Sequence, residues 1–511
     1  MLLFSDKTKS IAFLIGIAFL FVGLTFSKAI TSLVTVYFIL FYIVQKEDKQ
    51  SLAFLLKNIS LRYFILLVGW MTLSLLWSKN KTNGIQLFGS NLNFFIWPIL
   101  MVLFSDKINR YYRKILLLFT FIVTLVSLIH FTNFQFLDGY HDIREMALHV
   151  SHIRFSLMIV IALFISIYFL MNELKTSLRV LWFFVISWLL FYTYYSQVLS
   201  GVLAILGGLF GIISYIIFKN SHRGVKGIAI TMVFLLSILF TWLVYDISSP
   251  EVFVLPKKLD THTKLGNRYE NNIHSKIIEN GHFLDLYYCE KEVDSSWKLR
   301  SDVSLEDLSP RGYRYKYVLK RYLTSKGLRK DSFGVKTLSS QDIINIESGI
   351  PSVVELEKGF LARYKQLKYE LSGNLDPNGH SILQRFEFWK ASKMIIIENW
   401  FLGVGLGSSK DAFLKKYKKM NSKLLIENQW ESHNQFLSVW ISFGIVGLLL
   451  FILWLTSIFK NTLKNNWLQV TIFGVLIFSF FVEDTLSTLV GMTLFAFFAG
   501  IFQNNLSLKK D

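Results

Sequence analysis

Only one cysteine, Cys289, and six prolines occur in 511 residues, and charged residues make up just 17% of the chain. A single thiol excludes an internal disulfide and any cysteine-rich metal site. Scarce charge, set beside 53% hydrophobic and 16% aromatic residues and a mean hydropathy of +0.44, excludes an ordinary soluble enzyme. What the chain does hold is long apolar runs. A hydrocarbon core about 30 Å thick requires roughly 20 apolar residues per helix, because no backbone polar group can stay unpaired there.

Nine such runs precede a long polar stretch: Ser10–Phe26, Ala29–Val44, Tyr63–Trp77, Leu92–Phe104, Ile115–Phe131, His152–Met171, Val180–Tyr195, Val198–Phe218 and Gly227–Tyr245. Three follow it: Gln435–Phe459, Trp467–Val482 and Leu486–Phe502. The run Ser51–Leu56 is too short to cross and reads as an interfacial elbow. The pattern predicts an all-α polytopic membrane protein of about 12 transmembrane helices, with a large, mainly helical extracytoplasmic domain between helices 9 and 10. The domains expected are an N-terminal membrane domain (1–245), an extracytoplasmic, periplasmic domain (246–432) and a C-terminal membrane domain (433–511).

Lys and Arg set the orientation, since the side that retains positive charge is the cytoplasm. With the N-terminus inside, 19 basic residues fall in inner segments, among them Lys7, Lys9, Lys46, Lys49, Arg110, Arg113, Lys226, Lys464, Lys509 and Lys510; only Lys28, Lys79, Lys81 and Arg144 fall in short outer loops. Both termini are therefore predicted to be cytoplasmic. The first span, following Lys7 and Lys9 with no small-residue cleavage site after it, reads as an uncleaved anchor. The same ledger accounts for the net charge of +19 without a nucleic-acid partner. Residues 246–432 hold 30 basic and 24 acidic residues, with aromatic content and no low-complexity sequence, as a folded domain would.

Chemistry is expected at the outer face. "ESHNQFLSVWISFGIVGLLLF", beginning at Glu431, places His433 and Asn434 at the threshold of the tenth span. A histidine there is either a capping or interfacial residue, or an imidazole oriented by Ser432, Asn434 and Gln435 as a general base must be. Upstream, "SILQRFEFWKASKMIIIENWFLGVGLGSSKDAF" carries Arg385 and Trp389 on a predicted helix, then Asn399 and the glycines from Gly403 to Gly407.

This order of motifs, Arg385, Trp389, Asn399, Gly403–Gly407, His433–Asn434 and then Gly444 and Gly447, resembles the O-antigen ligase and polymerase superfamily over roughly Tyr317–Leu448. The stretch "YVLKRYLTSKGLRKDSFGVKTLSSQDIINIESGIPS" is similar to the external domain of Bacteroidetes-type members. The resemblance implies an inverting, metal-independent glycosyltransferase without a cofactor. Such an enzyme moves a glycan from an undecaprenyl pyrophosphate carrier to an acceptor hydroxyl on the periplasmic face. The implied partners are the lipid-linked donor, the membrane lipids, and as acceptor either lipid A-core, for an O-antigen ligase, or a growing glycan, for a polymerase.

Under that resemblance, His433 takes the acceptor proton and Arg385 neutralises the leaving pyrophosphate, for which a planar guanidinium is suited. The competing reading of Arg385 is a salt bridge to Glu387 or another nearby acid. Arg154, in "SHIRFSL" at the outer end of the sixth span, is the candidate second cation, with snorkelling to headgroups as the alternative. His152 stands two residues before it, although a helix points the two side chains apart. Many relatives carry an arginine in an "SRG"-like motif where this chain has "YSQVLSGVLAILGG", so Gln197 and Ser200 are left as uncharged donors. Asn434 and Trp389 complete the expected substrate-binding set.

Two other signals carry less. "GVGLG" lacks the strand before and the Lys-Ser pair after that a nucleotide loop needs, and reads as close packing. "DPNGH" at Asp376 lacks calcium-loop spacing and reads as a turn. No clustered His, Cys and acidic ligands stand at metal spacing on the outer side. A transporter is the rival class; against it, the spans contain no paired acidic residues and the polar insertion is off-centre.

Overall fold

The computed structural model describes residues 5–45, 55, 57–136, 143–219, 222–249, 258–275, 277–356, 360–371 and 376–504. Of the expected elbow at residues 51–56 only Leu55 is among them, and Lys46, Lys49, Lys509 and Lys510 lie outside. In chain order the longer helices are α1 (Asp6–Phe26), α2 (Lys28–Gln45), α3 (Ile59–Leu73), α4 (Lys81–Ser90), α5 (Leu92–Leu103), α6 (Ser105–Phe136), α7 (His152–Asn172), α8 (Thr176–Tyr195), α9 (Leu199–Lys219) and α10 (Arg223–Ser248). There follow α11 (Glu290–Trp297), α12 (Tyr315–Ser325), α13 (Ser332–Lys336), α14 (Ser340–Glu347), α15 (Phe360–Leu371), α16 (Ser381–Asn399) and α17 (Ser409–Lys419). The chain closes with α18 (Gln435–Asn465), α19 (Trp467–Val482) and α20 (Leu489–Phe502).

Every apolar run read from the sequence falls on one or two of these helices. Among the described residues nine helical stretches are long and apolar enough to cross a membrane, and three shorter apolar helices, Lys28–Val44, Trp467–Val482 and Leu489–Phe502, accompany them. The protein is an all-α polytopic membrane protein. Its helices begin where short polar side chains can satisfy first-turn amides: Asn58 accepts from Leu61, Asn434 from Leu437, Asn466 from Gln469 and Thr488 from Gly491.

The chain divides into two compact units, residues 236–383 and the remainder. Residues 384–432, which the sequence reading put with the extracytoplasmic domain, cluster with the apolar helices. Within that helical unit, α9 and α19 pack backbone to backbone. A Cβ on Gly207 would meet the Gly474 carbonyl at 2.7 Å, and one on Gly211 the Val470 carbonyl at 2.6 Å. Small residues four apart allow this approach where lipid tails offer no hydrophobic drive for association. The glycines of "SGVLAILGGLFG" thus serve packing.

The tenth apolar run is not one continuous helix. At Gly444 α18 takes φ +67° and ψ −171°, which breaks the hydrogen-bond ladder inside an apolar segment. Neighbouring chain supplies partners for the groups released there. The carbonyls of Ile441, Ser442 and Phe443 accept from Val404 N (2.8 Å), Gly405 N (2.9 Å) and Trp70 Nε1 (2.9 Å), and the Ile445 amide donates to the Trp400 carbonyl at 2.9 Å. "GVGLG" is the strip of chain laid against the break, which is the close-packing role expected of it. Irregular backbone at membrane depth is tolerated only when protein re-satisfies it in this way.

The second unit has its own core of Trp297, Val318, Leu319, Tyr322, Leu323 and Ile346, all fully buried. Ser339 and Asp342 form a capping box that starts α14, and Asp342 also accepts from Tyr322 Oη at 2.8 Å and Lys326 Nζ at 2.6 Å. A hairpin of β1 (Ile278–Glu279) and β2 (His282–Phe283) turns through Asn280 and Gly281, both at positive φ, the Asn-Gly chemistry of a two-residue turn. The Asp376 side chain accepts from the Asn378 amide at 2.9 Å, so "DPNGH" is a turn.

The break in α18 has no room for a side chain. A Cβ at Gly444 would lie 1.9 Å from the Phe401 carbonyl in a left-handed conformation, whereas one at Gly69, inside α3, meets nothing within 4 Å. Gly444→Ala is therefore expected to destabilise by more than the roughly 1–3 kcal/mol that such strain costs by itself, and Gly69→Ala to be neutral or mildly stabilising. Thermal unfolding of the detergent-purified proteins checks this; equal melting temperatures for the two variants would count against the break.

Candidate active site

Four separate elements deliver the polar side chains of the helical unit to one place. Arg154 lies in the first turn of α7, Arg385 in α16, His433 immediately before α18, and Glu483 with Asp484 in the turn after α19. Glu483 is their common partner. Its Oε1 accepts from Arg385 Nη2 at 2.7 Å, and its Oε2 lies 3.3 Å from His433 Nδ1 and 3.6 Å from Arg154 Nη1. Its side chain is 6% exposed.

The environment decides the charge on each acid. Burial pushes Glu483 toward the neutral form, but the hydrogen bond and charge of His433, with Arg154 and Arg385, outweigh it and hold the carboxyl below its usual range. Asp484 goes the other way: burial and the adjacent Glu483 raise it, against the Ser438 hydroxyl and His433. Its Oδ1 accepts from Ser438 Oγ at 2.7 Å. An ionised Glu483 can only accept, so Nδ1 of His433 donates to it and Nε2 is the ring nitrogen that this carboxylate does not engage.

His433 is held at φ +47°, a left-handed conformation that costs a β-carbon residue energy and that clusters at functional positions. Its neighbours enforce it. Asn434, not His433, caps α18, and its Nδ2 donates to the Phe481 carbonyl at 3.0 Å. Trp389 Nε1 donates to the Ser432 carbonyl at 3.1 Å, and Ser432 Oγ is 2.7 Å from Ser438 Oγ. The ring of buried Phe388 stacks on the imidazole, with centroids 5.4 Å apart and planes at 24°.

The two arginines differ. Arg154, 7% exposed, uses Nε on Thr488 Oγ1 and Nη2 on the Asp484 carbonyl, both at 3.2 Å, in addition to Glu483. It does not snorkel; it ties α7 to the turn between α19 and α20. Arg385 is 25% exposed. Glu387, its expected alternative partner, instead receives Lys390 at 2.7 Å and Ser422 at 2.9 Å.

Of the residues singled out in the sequence, the structure thus gathers Arg154, Arg385, Trp389, His433 and Asn434. His152 faces away from Arg154, as helical spacing requires, and lines a small cavity with Phe155, Tyr192 and Ser196. Ser200 Oγ is 3.4 Å from Ser156 Oγ, and Gln197 turns the chain from α8 into α9 at φ +54°. Sequence reasoning missed Glu483 and Asp484, which lie buried directly after α19, between the last two apolar runs rather than inside one. Their signal was "FVEDT", which carries the only acidic residues between Glu431 and Asp511.

The ion cluster has a pH signature. An acid depressed in the folded state adds stability above its unfolded pKa, near 4.5 for Glu483, and loses it as pH falls through the lower folded value. Glu483→Gln is expected to melt lower than the native protein at pH 7, with the two curves converging below pH 4.5. Asp484 has the opposite sign, and the share of its rise that comes from Glu483 is lost in the variant, which reduces the gap at pH 7. A gap in melting temperature that stays constant from pH 7 into the acid range would contradict the assignment.

Comparison with known proteins bears on the segment that carries most of this cluster. No curated protein matches the chain. A family model described as O-antigen ligase matches residues 338–452, which include Arg385, Trp389, His433 and Asn434. Over those residues the chain is similar to an O-antigen ligase domain.

Proposed function

We propose that the protein is an inverting, metal-independent glycosyltransferase of a bacterial inner membrane. In this reading it moves a glycan from an undecaprenyl pyrophosphate carrier to an acceptor hydroxyl at the periplasmic face. The reading rests on one observation above all: an ionised carboxylate, Glu483, holding an imidazole on one oxygen and guanidinium groups on both. An acceptor hydroxyl is a poor nucleophile, so a base must remove its proton as it attacks the anomeric carbon. Nε2 of His433 takes that proton while Glu483 stabilises the imidazolium that forms. The new bond joins the acceptor oxygen to the anomeric carbon; the bond from that carbon to the phosphate oxygen breaks, and its electron pair leaves with the pyrophosphate. A single displacement inverts the carbon.

Arg385, the more exposed guanidinium, faces the charge that grows on the leaving group, and Arg154 fixes the turn that presents Glu483. Two arginines against one ionised acid leave the cluster positive, which suits a pyrophosphate and supports a reaction without a metal. Asn434 and Trp389 position His433 through the backbone on either side of it. His152, Gln197 and Ser200 stay candidates for contacts to the glycan or carrier. Acceptor choice separates ligation to lipid A-core, which we favour, from polymerisation on a growing glycan; both use the same donor chemistry. In this reading twelve helices cross the membrane, both termini are cytoplasmic, and residues 246–432 belong to the periplasmic side.

His433→Ala and Arg385→Ala are each expected to cut transfer on the order of a hundredfold or more, because both act in the transition state. Membrane insertion should be normal. Reconstituted transfer from a polyprenyl pyrophosphate-linked glycan measures it, and near-normal rates in a well-inserted His433→Ala protein would remove it as the base.

Orientation is tested with thiols. Cys289 is 4% exposed, and burial with its acidic neighbours raises its thiol pKa, so it should resist maleimide until the protein is denatured. On a Cys289→Ser background, a cysteine replacing Lys298, whose side chain is 71% exposed, should react with a membrane-impermeant maleimide in intact spheroplasts. One replacing exposed Arg223 should react only after lysis. The reverse pattern would invert the orientation and with it the proposed function.

A further inference from the structure

The second unit contains a cavity of about 350 Å³, within the roughly 300–1,000 Å³ typical of small-molecule sites. Its wall is polar. The β1–β2 hairpin contributes Glu279 and the Asn280–Gly281 turn, α12 contributes Arg321, and α15 contributes Tyr364, Lys365, Gln366, Lys368 and Tyr369. Ile278 and Val354 are the aliphatic members, and the rest of the apolar surface belongs to side chains that also carry polar groups.

Several charges on this wall are already matched. Arg321 is buried with its Nε on Glu279 Oε2 at 2.9 Å and its guanidinium 4.1 Å from the centre of the Tyr369 ring. Glu355 takes Arg311 at 2.7 Å, Lys368 lies 3.8 Å from Asp246, and Tyr364 donates to the same Asp246. A phosphate or nucleotide site needs cations uncommitted to acids, and here two of the cations are balanced by carboxylates on or beside the wall. What the wall offers instead is a mixture of acceptors and donors at fixed positions, beside two tyrosine rings. That combination fits a ligand whose many hydroxyls each donate and accept, and whose ring faces are weakly apolar.

We propose that this cavity binds uncharged saccharide, one or two sugar units of the glycan chain, as a subsite separate from the cluster around Glu483. The inference rests on the proposed glycosyl transfer for the identity of its ligand, but the binding itself needs no chemistry at His433. A subsite on the second unit engages glycan remote from the reacting bond and lowers KM for long donors or acceptors, leaving kcat unchanged.

The test uses the detergent-purified full-length protein and the lipid-free oligosaccharide released by mild acid from the source strain's own surface polysaccharide, with inorganic phosphate as competitor. Calorimetric titration should show saturable saccharide binding of equal strength in the native protein and in His433→Ala, undisturbed by phosphate. Lys365→Ala/Gln366→Ala, at half-buried positions, should weaken it about tenfold, the worth of two polar contacts, at an unchanged melting temperature. Hydrogen exchange on the native protein checks the location without a variant: saccharide should protect residues 278–281 and 364–369. Absence of saturable binding, displacement by phosphate, or protection confined to other segments would each overturn the subsite. Normal transfer by His433→Ala would defeat the catalytic proposal and leave this binding result standing.

Discussion

The helical unit depends on the carboxylate of Glu483 more than on any other polar group. Buried arginines and an imidazole repel one another and lose hydration; removing one partner from such a set leaves uncompensated charge, which costs several kcal/mol on the order seen for buried pairs. Glu483 meets that demand for α7, α16 and the residue preceding α18 together, and its own ionised state is maintained by the same three groups. Asp484 beside it could not carry equal charge without raising the cost, and its environment accordingly favours the neutral form. Two adjacent acids are thus shifted in opposite directions: Glu483 faces cations, while Asp484 is buried beside that charge and faces Ser438 and Ser432.

This arrangement needs a rigid frame, and the broken helix α18 supplies part of it. Gly444 ends the first half of that helix after nine residues, so His433 and Asn434 stand at the mouth of a short segment gripped on both sides. "GVGLG" binds its carbonyls, Trp70 binds Phe443, and Trp440 Nε1 donates to Trp400 O at 3.0 Å. Each of these contacts comes from chain distant in sequence. The left-handed conformation of His433 is affordable only because Trp389, Ser432 and Asn434 determine the backbone around it.

The second unit is organised by different physics. It has a conventional aromatic and aliphatic core, capped helices and an Asn-Gly hairpin, as expected for a domain in water. Its buried Arg321–Glu279 pair forms the floor of a polar cavity, where the helical unit uses buried charge to orient an imidazole. Both units therefore hold a buried acid against a guanidinium, Glu483 with Arg154 and Glu279 with Arg321.

Much of this was legible in the sequence because it depends on local patterns. Apolar runs of membrane length became helices, with the Asn and Thr caps at their ends, since length and hydropathy alone decide whether a backbone can be satisfied in lipid. His433, Arg385 and Trp389 could be singled out because motif order is a linear property, and the match over residues 338–452 follows the same order. Pairing is not linear. Nothing in "FVEDT" says that Glu483 receives Arg385 from 98 residues upstream while Glu387, two residues away from that arginine, receives Lys390. Nor does "GIVG" disclose a helix break, since glycine in a membrane helix equally permits close packing, as it does at Gly207 and Gly211. The sequence by itself determined the helices and the residue types available to the site. Only the tertiary structure decided which charges meet, in which direction each of two neighbouring acids is shifted, and which nitrogen of His433 faces Glu483, because electrostatic energy depends on distances and burial that local sequence does not contain.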